Sequence, residues 1–283
     1  SDSVTITSNG YAFIIDGSSQ FRIFEVPASV RLELIQLELV SGTAGDGNGG
    51  AVWNAGTLEV QDCTFLANFS ELGGAIYNEG VAHLGPGSEI LSSNATQGAG
   101  IYNLGALSME ETSFSGNTAV LEGGAIYNLG SLTVLGGEFS SGLASDGAGI
   151  YSSGGNLTLD GSVFWDLETT TSGGAIYANG AVSLQNITLG ENNATQGGAL
   201  YLGSNAIATL IDSSFAQNQA ESGGAIQNEG ALTISNTSIS GNHALGNGGG
   251  LFNTGELTLP SVILVQNIAD GDGGGLFIKE LTR

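Results

Sequence analysis

Between Arg31 and Lys279 the chain contains no lysine or arginine. Four basic residues, Arg22, Arg31, Lys279 and Arg283, stand against 27 acidic ones, for a formal net charge of -23. This excludes a phosphate-neutralising surface, and with it nucleic acid as a partner. It also argues against attraction to anionic membranes. Solubility in a salty or divalent-rich medium is the plain reading of the acidity. Weak, distributed Ca²⁺ binding is the sharper one, since oxygen ligands abound, although no loop of closely spaced acids is evident. Cysteine is equally scarce. Cys63 stands alone, which rules out an intrachain disulfide and marks it as a small buried hydrophobe. The two histidines, His83 and His243, lie far apart and form neither a metal site nor a nucleophile–base pair. No hydrophobic run approaches the ~20 residues that span a membrane, and no secretion signal is recognisable. The opening at Ser1, without Met, fits a processed or trimmed chain.

Proline is rare, with 3 residues, whereas glycine is abundant, with 48. Collagen needs both residues in quantity and glycine at every third position. Here glycine comes in pairs. The box Gly73-Gly74-Ala75-Ile76-Tyr77-Asn78-Glu79-Gly80 returns with small changes, its first glycine at 49, 73, 98, 123, 147, 173, 197, 223, 248 and 273. A repeat of 24 to 26 residues governs the architecture before any local feature does. A hydrophobic content of 41% is too high for a disordered linker.

Each repeat has three parts. The box is followed by a short alternating strand, as in Ser131-Leu132-Thr133-Val134. A third segment places an apolar residue three positions before Asn: Phe65 and Asn68, Phe114 and Asn117, Phe215 and Asn218, Ile239 and Asn242, Leu264 and Asn267. The repeat opening at Gly147 departs from this at Phe164-Trp165-Asp166, where a bulge is expected. Three β-rich segments, Gly- and Asn-rich turns and no helical period describe one coil of a parallel β-helix. Stacking at ~4.8 Å per coil gives a rod of roughly 45–50 Å. Residues 1–48 lack the box and read as atypical capping coils, with strands at Ser3–Thr7, Tyr11–Ile15, Phe21–Val26 and Val30–Val40. Residues 49–283 form the repeat body of the same single domain.

Three columns follow from stacking. The fourth box position is always Val, Ile or Leu and points inward. The sixth is Asn at 54, 78, 103, 128, 228 and 253; it shares the inward parity, so its amides are placed to bond along the axis. The fifth faces outward and reads Trp53, Tyr77, Tyr102, Tyr127, Tyr151, Tyr177, Tyr201, Gln227, Phe252 and Phe277. Such a column is either a self-stabilising aromatic ladder or an exposed contact stripe for glycan or a neighbouring rod.

The Gly-Gly-Ala-Ile box joined to Phe-x-x-Asn resembles the repeats of polymorphic outer-membrane proteins, from Gly49 to the C-terminus. The resemblance implies a secreted or surface-displayed right-handed parallel β-helix used for adhesion or structure, and supplies no catalytic site. No translocating barrel or anchor accompanies the repeats in these residues.

Enzymatic chemistry finds little support. Lyases acting on polyuronates need a cation to neutralise the substrate, and the repeat body has none. Glycosidases need paired carboxylates; Asp160 with Asp166 and Glu110 with Glu111 are candidates, but an acid-rich chain offers such pairs by chance. Gly45-Asp46-Gly47 and its echo Gly271-Asp272-Gly273 lack the nine-residue iteration of calcium-binding β-rolls and read as turns. Asn-x-Ser/Thr occurs at Asn68, Asn94, Asn156, Asn186, Asn193 and Asn236. Asn68 and Asn94 belong to the turn column and are expected to be buried, which leaves Asn156, Asn186, Asn193 and Asn236 as glycosylation acceptors. The expectation is a non-enzymatic extracellular or cell-surface solenoid without catalytic residues, metal or cofactor. Its possible partners are glycans, cell-surface proteins, or other copies of itself side by side or end to end in a filament. The C-terminus falls inside a box, from Gly273 to Glu280, with three residues beyond. That end reads as an uncapped edge, either of a complete filament subunit or of a longer chain cut short. A carbohydrate-binding module using the aromatic face, and a β-helical glycoside hydrolase, are the alternatives.

Overall fold

The computed structural model describes residues 2–8, 10, 13–45 and 47–279. Tyr11, Asp46 and Glu280 to Arg283, which entered the reading of the lead-in, the Gly-Asp stretch and the C-terminal end, lie outside the described residues. The fold is all-β, a parallel β-solenoid of about 11 turns. The box strands form one eleven-stranded sheet from Phe24–Val26 to Leu276–Ile278. Every pairing in it is parallel and keeps identical box positions together: Ile76, Ile101 and Ile126 stand in one row, Asn78, Asn103 and Asn128 in another. A long strand such as Ala106–Glu110, a middle strand such as Ser113–Ser115 and a short strand such as Thr118–Ala119 complete a turn.

Most turns bend at three positions of positive φ. The first is the leading box glycine, with φ between 56° and 70°. A Cβ at Gly123 would overlap the carbonyl oxygen of Ile126, so only glycine fits. The second corner, between long and middle strands, is held by Gln36, Asp62, Glu111, Asn186, Asp212 and Asn236, with φ of 45° to 57°. The third follows the middle strand, as at Ala67, Ser141 and Asp166.

These corners revise the strand expectations. Val30–Val40 is two strands, Val30–Ile35 and Glu38–Val40, because Gln36 turns the chain at φ 57°. Of Phe21–Val26, only Phe24–Val26 is a strand. Asp2–Thr7 pairs in register with Val30–Ile35, which pairs in turn with Thr57–Gln61, so the lead-in strands stack in register on the repeat body. In the turn opening at Gly147, Phe164 keeps its place in the column between Phe139 and Leu189. The irregularity comes later, where Ala144 pairs with Thr169 but Asp146 with Ser172, and Leu167 is buried where most turns have Asn.

The core is a set of axial columns. Phe114, Phe139 and Phe164 stack with centroids 4.9 and 4.5 Å apart. Cys63 is buried, as expected, but within a column of small polar residues that includes Ser88 and Thr112. Its Sγ accepts from the Leu37 N–H at 3.4 Å and donates to the Gln61 carbonyl at 3.3 Å. Burial pushes the thiol pKa up, which removes thiolate reactivity.

Candidate functional site

The sixth-position asparagines are buried and linked head to tail. Asn54 Nδ2 donates to Asn78 Oδ1, Asn78 to Asn103 and Asn103 to Asn128, each at 2.7 Å, and Asn128 donates to Ser152 Oγ at 3.0 Å. The remaining N–H of Asn103 serves carbonyls at the turn, Gly105 and Ser131. A second ladder runs through the middle-strand asparagines. Asn192 donates to Asn218, Asn218 to Asn242 and Asn242 to Asn267 at 2.9–3.0 Å. These amides carry structure and are closed to ligands.

The fifth-position rings stand opposite the Ile column. Tyr77, Tyr102, Tyr127, Tyr151, Tyr177 and Tyr201 stack with centroids 4.6–5.3 Å apart and planes 9–14° from parallel. Within this column Tyr77, Tyr102 and Tyr201 are only 6%, 8% and 9% exposed, whereas Trp53, Tyr127, Tyr151, Tyr177, Phe252 and Phe277 are half-buried. The rings form an aromatic ladder, and much of the row keeps some accessible surface. At one end Arg22 places its guanidinium 5.9 Å from the Trp53 ring centroid, anchored on the Asn48 and Gly49 carbonyls. Towards the other end Gln227 interrupts the aromatics, held by Ser222 and Glu229, before Phe252 and Phe277 stack at 5.2 Å. The phenol pKa values rise. Burial is the main cause, reinforced by Glu79 at Tyr77 and by neighbouring phenols and carboxylates elsewhere; Tyr77, Tyr127 and Tyr177 are pushed up to about 12.

The remaining candidates are dispersed. Asp160 accepts from Asn186, and Asp166 from Ser141; Asp160 ends the long strand before the Gly161 corner and Asp166 is the third corner, on opposite sides of Val163–Trp165. Glu110 ends a long strand and Glu111 is the corner after it. His83 contacts Ser108 at 3.0 Å, and His243 contacts Asp270 at 3.1 Å. Among the described residues no group of three His, Cys, Asp or Glu is placed to hold a metal ion. Asn156, Asn186, Asn193 and Asn236 are exposed and Asn68 is buried. Asn94 is exposed, contrary to expectation, because Ser93 takes the inward place in that turn.

One functional candidate escaped the column reading. Trp165 is 42% exposed on the outer face of the middle-strand sheet, with Nε1 donating to Glu138 Oε1 at 2.8 Å. The signal was its parity, one residue beyond the inward Phe164.

Fold and columns together define a parallel β-solenoid whose turns are sequence repeats. A family model, the Chlamydia polymorphic membrane protein repeat, matches residues 111–129, a span running from the Glu111 corner through Phe114 and Asn117 to the box at Gly123. No curated protein and no solved structure matches the chain significantly.

Proposed function

We propose that the chain is a non-enzymatic, surface-displayed β-solenoid that serves adhesion. The observation that carries this reading is the stack of about 11 parallel turns, within which residues 111–129 match the polymorphic membrane protein repeat. Core and ladders consume the inward side chains, so only lateral faces and corners present chemistry to a partner. The acidic coat keeps such rods soluble and apart. Beads coated with the chain are expected to adhere to cultured animal or bacterial cells, with soluble chain competing. Adhesion no better than that of albumin-coated beads would overturn the reading.

A further inference from the structure

The outer face of the middle-strand sheet is not uniform along the rod. Val163 pairs with Thr188, then Ser214, Ser238 and Ile263; beside them Trp165 pairs with Gly190, then Ala216, Ser240 and Val265. Three successive rungs therefore carry only small side chains, between Val163 and Trp165 at one end and Ile263 and Val265 at the other. All four end residues are exposed. A groove of about 560 Å³ runs along the corner side of this trough, lined by Thr188, Ser214, Ser238 and Ile263 with the second-corner residues Asn186, Asp212 and Asn236; Trp165 and its row lie on the other side of those residues.

The geometry points to a binding site for a neutral oligosaccharide, lying along the trough with one sugar ring on Trp165. Four features support this occupant. The bond to Glu138 holds the indole towards the preceding rung, where Ser140 beneath it is buried despite its outward parity. The next rung is Gly190, where a Cβ would meet nothing closer than 3.6 Å, so the space beside the ring is open. An indole face suits the C–H face of a pyranose, while the floor offers the hydroxyls of Thr188, Ser214 and Ser238 and the wall the Asn236 amide. Such a lining of hydroxyls and amide matches sugar hydroxyls. The charge narrows the class further: Asp212 lines the groove, Asp166 and Glu191 form the third corners directly after Trp165 and Gly190, and no basic residue lies between Arg31 and Lys279, so uronates, sialylated and sulfated glycans are repelled. From the Val163 rung to the Ile263 rung the trough spans four strand spacings, ~19 Å, which suits a short linear oligosaccharide.

This inference rests on the adhesive reading and names its partner class. The Trp53→Phe chain leaves Trp165 as the sole tryptophan. It is titrated at 150 mM salt with cello-, xylo-, malto-, manno- and chitohexaose, followed by Trp165 emission and by calorimetry. At least one neutral hexasaccharide is expected to bind and shift the emission. Its affinity is expected to fall at least tenfold in Trp165→Ala and in Ser214→Phe, which fills the trough from an outward position; circular dichroism checks that both variants fold. No binding to any of the five, binding unchanged by Ser214→Phe, or tighter binding of hexagalacturonate or decalysine would each overturn the assignment. Purified chain and free sugars are used, so failure here leaves the bead-adhesion result standing.

Discussion

At the scale of single residues, the turns are held by amides that have nowhere else to bond. Asn103 accepts from Asn78 and donates to Asn128, Gly105 and Ser131, all away from water. Asn103→Ala strips the acceptor from the buried Asn78 amide N–H on one side and the donor from Asn128 Oδ1 and the turn carbonyls on the other. It is expected to cost about 2–4 kcal/mol in chemical denaturation, whereas Tyr102→Phe, which keeps the stacked ring, is expected to change little. The corners make the opposite test. Ala67 sits at φ 52° without needing its side chain there, and Ala67→Gly is expected to stabilise by about 0.5–1 kcal/mol. Gly123→Ala, which drives a methyl into the Ile126 carbonyl, is expected to destabilise by more than ~2 kcal/mol. Equal effects of the two substitutions would contradict the distinction between open and closed corners. That distinction also governs what the sequence reveals. The box corner is always glycine because its carbonyl leaves no room. At Gly116, Gly161 and Gly241, in the other two columns, a Cβ would meet nothing closer than 3.5 Å. Asn, Asp, Gln, Glu, Ser and Ala therefore share those places at a cost of roughly 1 kcal/mol each. No single residue type marks them, and Val30–Val40 reads as one strand when Gln36 divides it in two.

At the scale of the element, the aromatic column behaves as one object. Its phenols stack within 5.3 Å and stay protonated well above their ordinary range, chiefly because burial disfavours the phenolate. The sign of the linkage follows from that rise. Below about pH 10 both folded and unfolded tyrosines are neutral, and the full stability is present. Between about pH 10 and 12 the unfolded chain releases protons that the folded chain keeps, so stability falls as pH rises. Absorbance at 295 nm is expected to show delayed, steep ionisation that coincides with loss of β-sheet ellipticity. Ionisation of most tyrosines near pH 10 with the fold intact would show that the stack is open to water. Period and parity read from the sequence place the rings opposite the Ile column and the Asn inside, and the structure agrees. What parity cannot convey is the coverage of one ring by the next, which leaves the outward row half-buried or buried. The same limit hid the trough beside Trp165: a run of small residues on consecutive turns becomes visible only when Thr188, Ser214 and Ser238 are seen side by side.

At the scale of the whole molecule, everything depends on each turn lying directly on the last, in register and at one strand spacing. The repeat made this legible, since ten boxes at 24 to 26 residues admit few other arrangements. The function was less legible because the repeat spends its recurring residues on core, corners and ladders, and leaves binding to places where the pattern lapses. The stacking can be measured directly. Glu89 and Ile263 occupy the same exposed position of the middle strand, joined rung by rung through Ser113, Glu138, Val163, Thr188, Ser214 and Ser238. With Cys63→Ser removing the native thiol, spin labels on Glu89→Cys and Ile263→Cys report their separation by pulsed electron resonance. A rod of in-register parallel turns predicts one narrow distribution centred near ~34 Å, broadened by the label linkers. A broad distribution, or a single distance far from that value, would contradict it.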